Sequence, residues 1–487
     1  MTTPPARLRG VSELREFFRT NLRPIYFVSP TAFNLLGIDR WVRNFRYVCF
    51  YDSFDGSHPN VFVPADRRAP EFESIEDICN YLLRHPEVAT MMRAEDPGGL
   101  VTFVMFDGQT EELANGLDLR IAHPPAELRH RLDSKIVTTQ LGNAAGVPSV
   151  PNVLGRAASH AELVALAATA DLGTDLVVQT PYGDSGKTTF FIRNEADWVA
   201  SAAKEPLQSM DLKVMRRIEH RAIAVEAVLT RHGTIVGPLM NDITGHPALT
   251  PYRGGWAGND YPATLTTDQK LRARDLTRRL GDELAGQGYL GFFEVDYLVD
   301  TGSGELYLGE LNPRISGISS MTNVTAGAYA DMPLFLFHLV EYLDLDYEID
   351  VDDINERWSR ESAVDVWSQI IIKETSDSVD LLTRTPRSGV YTLGPDGTAD
   401  FRRPAWDWHG MYRESEAFYL RILAPGDFRY KGADLGALVT RGRLQTDDNR
   451  LEPRCTEWIA GIRGQFSATP VVPLHSAVPV REAFKMA

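Results

Sequence analysis

Cysteine is scarce. Cys49, Cys79 and Cys455 are too few and too scattered among 487 residues for a disulfide framework or a zinc cluster, which points to a reducing, cytoplasmic setting. Long apolar runs are also missing. The first 23 residues carry charges throughout where a signal peptide needs an apolar stretch. The most hydrophobic helical candidate, MPLFLFHLV at 332–340, has nine residues. A membrane span takes about 20. Basic residues are in deficit, 50 Lys and Arg against 66 Asp and Glu, and the net charge of −16 argues against broad binding to nucleic acid or anionic membranes while leaving room for a local basic pocket. No GxGxxG follows a β-prone run, so dinucleotide binding has no support, and no tandem repeat or low-complexity tract occurs. What remains is a chain 43% hydrophobic and 24% charged, long enough for about three domains.

Short β-prone runs at 25–28 (IYFV), 46–51 (RYVCFY) and 100–106 (LVTFVMF) alternate with helix-compatible stretches, including a helical pattern at 73–93, and predict a parallel α/β unit over 1–125. From 126, AELRHRLDSKIVTTQLGNAAGV reads as amphipathic helix broken by Gly142 and Gly146. A helix at 161–170, the strand LVVQT, a long helix at 267–287 and two strands, FFEVDYLVD and ELYLGEL, follow. Beyond about 360, short strands with Pro-Asp-Gly and Pro-Gly-Asp turns predict an antiparallel β-rich domain, placed at 346–487.

The stretch PYGDSGKTTFF, 181–191, tests for phosphate binding. A Walker-type loop needs glycine where Pro181 stands, and it opens a helix, whereas TTFFI is β-branched and aromatic. The local reading is a hairpin of LVVQT, a glycine loop and TTFFI. The second cluster lies in FFEVDYLVDTGSGELYLGELNPR. Glu294 and Asp296 are two apart on one strand, as are Glu310 and Asn312 on the next, so four oxygen-bearing side chains share one face of a hairpin, with Phe293, Val295, Tyr297 and Leu311 on the other. Like charges that close call for a cation, and magnesium takes this donor set while sharing substrate phosphates.

A strand–glycine loop–strand followed about 120 residues later by an acidic strand pair ending Glu-x-Asn-Pro-Arg resembles the ATP-grasp superfamily. LDSKIVTTQLGNAAGVPSVP is similar to the segment that opens the ATP-grasp domain in biotin-carboxylase-like members and many amino-acid ligases. The resemblance implies an ATP-grasp domain over 126–345, with a small lid subdomain at 126–212 and a large one at 213–345. It implies ATP as substrate and Mg2+, with Mn2+ as a substitute. Lys135 would reach the nucleotide phosphates, and Gly183, Asp184, Ser185, Gly186 and Lys187 would close over them. Arg216, Arg217 and Ile218, in KVMRRIE, would lie along adenine, with Glu226 near the ribose. Asp296, Glu310 and Asn312 would hold the metal, Glu294 being the alternative to Asp296. Arg314 would stabilise the transferred phosphoryl group or grip a carboxylate. Ser316 and Gly317, in SGISSMTN, would line the acceptor site. Arg253, in PYRGGWAGNDYP, falls where acceptor loops occur, and a plain surface loop is its alternative reading. The family's usual lysine before the glycine loop is Gln179 here, a loss of charge that Lys187 could restore.

The implied activity is ATP-dependent carboxylate–amine ligation through an acyl phosphate, as in L-amino-acid and peptide ligases. Small carboxylates and amines would be its partners, and homodimers are common enough to be expected. Two alternatives stand beside it: a biotin-carboxylase-like enzyme using bicarbonate, and a nucleotide-binding regulatory protein with a degenerate site. RRPAWDWHGMY at 402–412 reads as a core cluster or domain contact, His58 as turn chemistry without a partner, and TRGR at 440–443 as an exposed basic turn, its alternative being a cation added to the site from the C-terminal domain.

Overall fold

Strands joined through helical crossovers pair in parallel, and the N-terminal runs do so here. In the computed structural model, which describes residues 7–65, 72–94, 98–183, 188–325, 331–360 and 365–471, the strands β1 (Ile25–Ser29), β2 (Phe45–Cys49), β3 (Val61–Phe62), β4 (Leu100–Phe103) and β5 (Arg120–Ile121) form a parallel sheet ordered β3-β2-β1-β4-β5. The pattern at 73–93 resolves into two helices, Ile75–Arg84 and Pro86–Ala94, because the residue before Pro86 takes an extended backbone.

Two helices lead into the centre, α1 (Ala126–Leu132) and α2 (Lys135–Ala145). The expected break at Gly142 is not there. The interruption falls at Asp133–Ser134, and Gly142 sits inside α2, where a Cβ would come within 2.6 Å of Leu308 Cδ2 and 2.9 Å of the Val147 carbonyl. Gly146 does end the helix, at φ +67°. Four strands then make a small antiparallel sheet: β6 (Asn152–Gly155), β7 (Leu176–Gln179), β8 (Thr189–Ile192) and β9 (Leu212–Arg216), ordered β6-β9-β7-β8. LVVQT and TTFFI form the expected hairpin, with a strand rather than a helix after the loop. The expected border at 212/213 cuts through β9, which stays paired in this sheet as far as Arg216.

The large sheet has ten antiparallel strands. They are β10 (His220–Thr230), β11 (Gly233–Thr244), β12 (Trp256–Tyr261), β13 (Gly291–Asp300), β14 (Leu306–Asn312), β15 (Trp367–Lys373), β16 (Gly389–Leu393), β17 (Ala399–Arg403), β18 (Glu416–Arg421) and β19 (Asp434–Arg441), ordered β14-β13-β10-β11-β12-β15-β19-β18-β16-β17. The β-rich segment expected beyond 346 is antiparallel, but most of it continues the central sheet. β12 has one side on β11 and offers the other to β15. The period-2 pattern decides what each face carries: Ile223, Val225, Ala227 and Leu229 of β10 and Phe293, Val295, Tyr297 and Val299 of β13 pack with α3 (Thr267–Gly286), leaving Ala222, Ala224, Glu226, Glu294 and Asp296 on the opposite face.

The apolar segment at 332–340 is a buried helix, Leu334–Glu341, and no described helix is long and apolar enough to cross a membrane. RRPAWDWHGMY makes a domain contact: Arg40 Nη1 donates to Asp407 at 3.0 Å, and Trp408 packs on Gly37. His58 is a buried core residue rather than a turn residue without a partner. It accepts from the Asn60 amide at 3.1 Å and packs against Tyr47, Phe54 and Trp406.

Candidate active site

The small sheet roofs a cleft of ≈ 340 Å³ over the polar face of the large one. Val177, Gln179, Thr189, Phe191 and Met215 form the roof, and the crossover Arg216, Arg217 and Ile218 forms one wall. Ala222, Asp242, Glu294, Asp296, Leu298, Gly309, Glu310 and Asn312 form the floor, whose alanine leaves room for a ligand. Arg253, Trp256, Arg314, Ser316, Gly317 and Ile318 close the far end. A larger surface hollow of ≈ 650 Å³ lies elsewhere, but its Arg278 and Asp352 satisfy each other at 3.2 Å.

The acids meet because of strand register. Glu294 lies opposite Asn312 and Asp296 opposite Glu310, and the pairing shifts between Asp296 and Tyr297, leaving Gly309 as the extra residue of a bulge. Burial raises the Glu294 and Asp296 carboxyls, and the charges of Glu294, Asp242 and Glu310 push Asp296 further while Lys135 opposes. Asp242, which the sequence reading did not single out, is also raised by burial and then by Glu294; Asn259 Nδ2 donates to its Oδ1 at 2.7 Å. Among the described residues no three His, Cys, Asp or Glu side chains close on one point as a metal cage. The set of hard oxygen donors, two strands wide, fits a magnesium ion that takes one or two protein carboxylates and fills its remaining positions with phosphate oxygens and water.

Three cations border these acids. Lys135, the first residue of α2, donates to Glu310 Oε1 at 2.7 Å and to the Gly183 carbonyl at 2.8 Å. Arg314 is 8% exposed; its Nη2 donates to Asn312 Oδ1 at 2.8 Å and its Nε faces Asp133 at 3.8 Å. Against the cost of burial, Asp133, Glu294 and Glu310 keep its guanidinium charged. The third cation, Lys213 on β9, is fully buried, and burial and then Lys135 pull it down to about 8, with Glu310 opposing. It was read only as part of the KVMRRIE strand. A lone lysine between the apolar Leu212 and Val214 was the available signal.

Other expected residues fall in mixed places. Asp184, Ser185, Gly186 and Lys187 lie outside the described residues. Gln179 donates through Nε2 to Thr189 Oγ1 at 3.1 Å, and its buried Oε1 has no partner among the described residues. Arg253 stacks on the Phe191 ring at 4.7 Å, tying the loop before β12 to the roof, and Arg217 flanks the same ring at 5.4 Å. Trp256 lies on Gly317, where a Cβ would come within 2.5 Å of its ring, and its Nε1 donates to Asn259 at 3.2 Å. TRGR does not line the cleft: Arg443 donates to the Pro262 carbonyl at 2.6 Å.

Glu226 does not line the cleft either. It lies buried beneath the segment after Arg314 and accepts hydroxyl hydrogen bonds from Ser316 at 3.3 Å and from Ser319 and Thr322, so its carboxylate is spent on bracing that segment and does not face the cleft where a ribose would lie. Burial raises its carboxyl to about 8, against those hydroxyls. Because the folded value exceeds the ordinary 4.5, the native state holds the extra proton between the two, and stability falls across that window as pH rises. Denaturant unfolding at about pH 5 and pH 8 is expected to show Glu226→Gln losing less stability over the interval than the unaltered protein. Equal losses would exclude Glu226 as the titrating group.

No family model matches the chain. The alpha subunit of mitochondrial methylcrotonoyl-CoA carboxylase from Oryza sativa subsp. japonica is 26% identical over 228 residues, covering 44% of this chain and 28% of that protein, so the chain matches well under a third of that relative's length. Among solved structures, a Campylobacter jejuni biotin carboxylase in complex with beta-gamma-ATP has a TM-score of 0.62 at 14% identity, with 92% of each chain covered. The biotin carboxylase domain dimer of Hydrogenobacter thermophilus 2-oxoglutarate carboxylase, with MgADP and bicarbonate, scores 0.59 at 14% identity over 93% of this chain and 92% of that one. N5-carboxyaminoimidazole synthase from Aspergillus clavatus, with ADP and 5-aminoimidazole ribonucleotide, scores 0.54 at 14% identity over 86% and 94%. A parallel N-terminal sheet, a four-stranded roof and a long antiparallel sheet, superposable along nearly the whole chain on such structures, make this a biotin-carboxylase-like ATP-grasp fold.

Proposed function

We propose that this protein is an ADP-forming, ATP-dependent ligase that activates a carboxylate as an acyl phosphate and passes the acyl group to an amine. The observation that carries the reading is a cleft with two chemically distinct ends joined at Arg314. One end holds Lys135, Glu310 and Asn312; the other holds Arg253, Trp256, Gly317 and Ile318. A carboxylate is a poor electrophile until its oxygen takes the γ-phosphoryl group and ADP leaves. The amine then attacks the carbonyl carbon, loses a proton and expels phosphate. Glu310 and Asn312, with Glu294 or Asp296, would hold magnesium, which when bound neutralises phosphate charge. The chain's own residues do the rest. Lys135 supplies charge at the phosphates, Arg314 presents a planar fork to the oxygens between the two ends, and Arg253 offers a second guanidinium to the carboxylate. The roof of Val177 and Phe191 keeps water from an intermediate that hydrolyses readily.

A second reading, carboxylation with bicarbonate, is favoured by the likeness to biotin carboxylases. The apolar wall of Trp256 and Ile318 suits either reading, because an organic carboxylate and biotin both have apolar surface to bury there. A homodimer in the cytoplasm belongs to the proposal, on the precedent of the Hydrogenobacter domain dimer. Hydroxylamine traps acyl phosphates without knowledge of the amine. With Mg2+, ATP and pools of carboxylic acids, hydroxamate is expected from one pool, matched by ADP. ADP formed only with bicarbonate and biotin would overturn the ligase in favour of the second reading.

A further inference from the structure

We infer that Lys213 is a phosphate-binding cation of this cleft, supplying from β9 the positive charge that Gln179 on β7 cannot supply. The inference rests on the proposed nucleotide-dependent activity and concerns how the nucleotide is held. Register carries it. In the small sheet Lys213 lies directly opposite Gln179, and Met215 opposite Val177. Directly opposed residues of an antiparallel pair project to the same face. Gln179, Val177 and Met215 all line the cleft, so the Lys213 stem points the same way, while Val178 and Val214 between them pack in the core of the small subdomain.

Burial makes the position informative. Lysine is almost never fully buried without a counter-charge, yet Lys213 is 0% exposed and the one hydrogen bond of its ammonium among the described residues goes to the Gly309 carbonyl at 3.4 Å. The carboxylate that acts on it, Glu310, is already bonded by Lys135 at 2.7 Å. Lys213 is therefore left without an ion pair of its own among the described residues, at the acid-lined end of the cleft. The bulge at Gly309 turns a neutral carbonyl toward Lys213 where an ordinary ladder position would have kept it paired. A buried cation held by a weak neutral acceptor is a site for an anion, and a nucleotide phosphate is the anion that the neighbouring donor set anticipates.

The test uses the full chain and reads binding. Calorimetric titrations of ADP with Mg2+, and of adenosine, are compared for the unaltered protein, Lys213→Met and the double variant Gln179→Lys/Lys213→Met. Methionine keeps the length of the stem and removes the buried charge, and because Lys135 stays on Glu310 at 2.7 Å the change leaves no carboxylate without its cation. Lys213→Met is expected to bind ADP roughly 10- to 100-fold more weakly, the scale of one charge-assisted contact, with adenosine affinity unchanged. The double variant, which returns the charge from the opposed position on the same face, is expected to recover most of the loss. ADP binding by Lys213→Met equal to that of the unaltered protein overturns the inference and leaves the proposed function standing. Parallel losses of ADP and adenosine, or a double variant no better than Lys213→Met, overturn it too, since packing rather than charge is then at work. If the unaltered protein binds no ADP, the proposed function falls and the inference with it.

Discussion

Arg314→Ala is expected to lower the rate of ADP formation by about 10³-fold, the scale seen when a preorganised charge at a reacting centre is removed, with adenosine affinity unchanged. The guanidinium is held from two sides. Asn312 fixes Nη2, and Asp133 faces Nε across 3.8 Å. Asp133 also accepts from Arg129 Nη1 at 3.1 Å, so deleting Arg314 does not leave a buried carboxylate without a cation, and the fold is expected to survive. Arg314→Lys separates the roles: lysine restores a charge but not a planar fork, so a rate between those of the alanine variant and the unaltered protein marks bidentate recognition. Steady-state ADP release and the unfolding midpoint, measured on the same preparations, check the expectation. A variant that folds and releases ADP at the unaltered rate removes Arg314 from the reaction.

The parts of this site that were legible in the sequence are those set by short-range geometry. Glu294 with Asp296, and Glu310 with Asn312, are i, i+2 pairs whose shared face follows from the pleat, and a five-residue connection brings the two strands together. The hairpin around the glycine loop was legible for the same reason, β-branched and aromatic residues standing on both sides of it. Legibility stopped where register between distant strands decides the outcome. That Lys213 faces Gln179 depends on pairing between segments more than 30 residues apart, and no local periodicity encodes it. Asp242 reaches the cleft over the small side chain of Ala222, two strands from the acids that act on it. Glu226 shows the converse error. The resemblance puts it near the ribose, and its parity on β10 matches Ala222 of the cleft floor, but the segment after Arg314 folds over it and takes its carboxylate for three hydroxyls. The continuity of the large sheet past residue 346 was hidden likewise, because the chain leaves the sheet after β14, passes through helices, and returns to the open side of β12.

Glu310→Gln is expected to abolish Mg2+-dependent ADP formation, with a loss of about 10³-fold or more, and at the same time to tighten binding of metal-free ADP several-fold. The opposite signs follow from the two partners that Glu310 has. Without ligand its carboxylate is the counter-ion of Lys135, whose ammonium also donates to the Gly183 carbonyl at the mouth of the glycine loop. Incoming phosphates compete with Glu310 for that ammonium and are repelled by its charge. Glutamine nearly preserves the shape, keeps one oxygen and removes the charge, so Lys135 is freed for phosphate and metal-free nucleotide gains. The charge is also what a divalent ion needs from the floor. Asn312 contributes only a neutral oxygen, already shared with Arg314, and Asp296 is raised by burial and then by its acidic neighbours, so neither replaces Glu310 as an anionic ligand. Calorimetry of ADP with and without Mg2+ distinguishes the roles. In the unaltered protein Mg2+ is expected to strengthen ADP binding, and in Glu310→Gln that increment disappears while the metal-free affinity rises. If Glu310 served only as the partner of Lys135, the variant would keep the full Mg2+ increment, and the metal site would have to be rebuilt around Glu294 and Asp296.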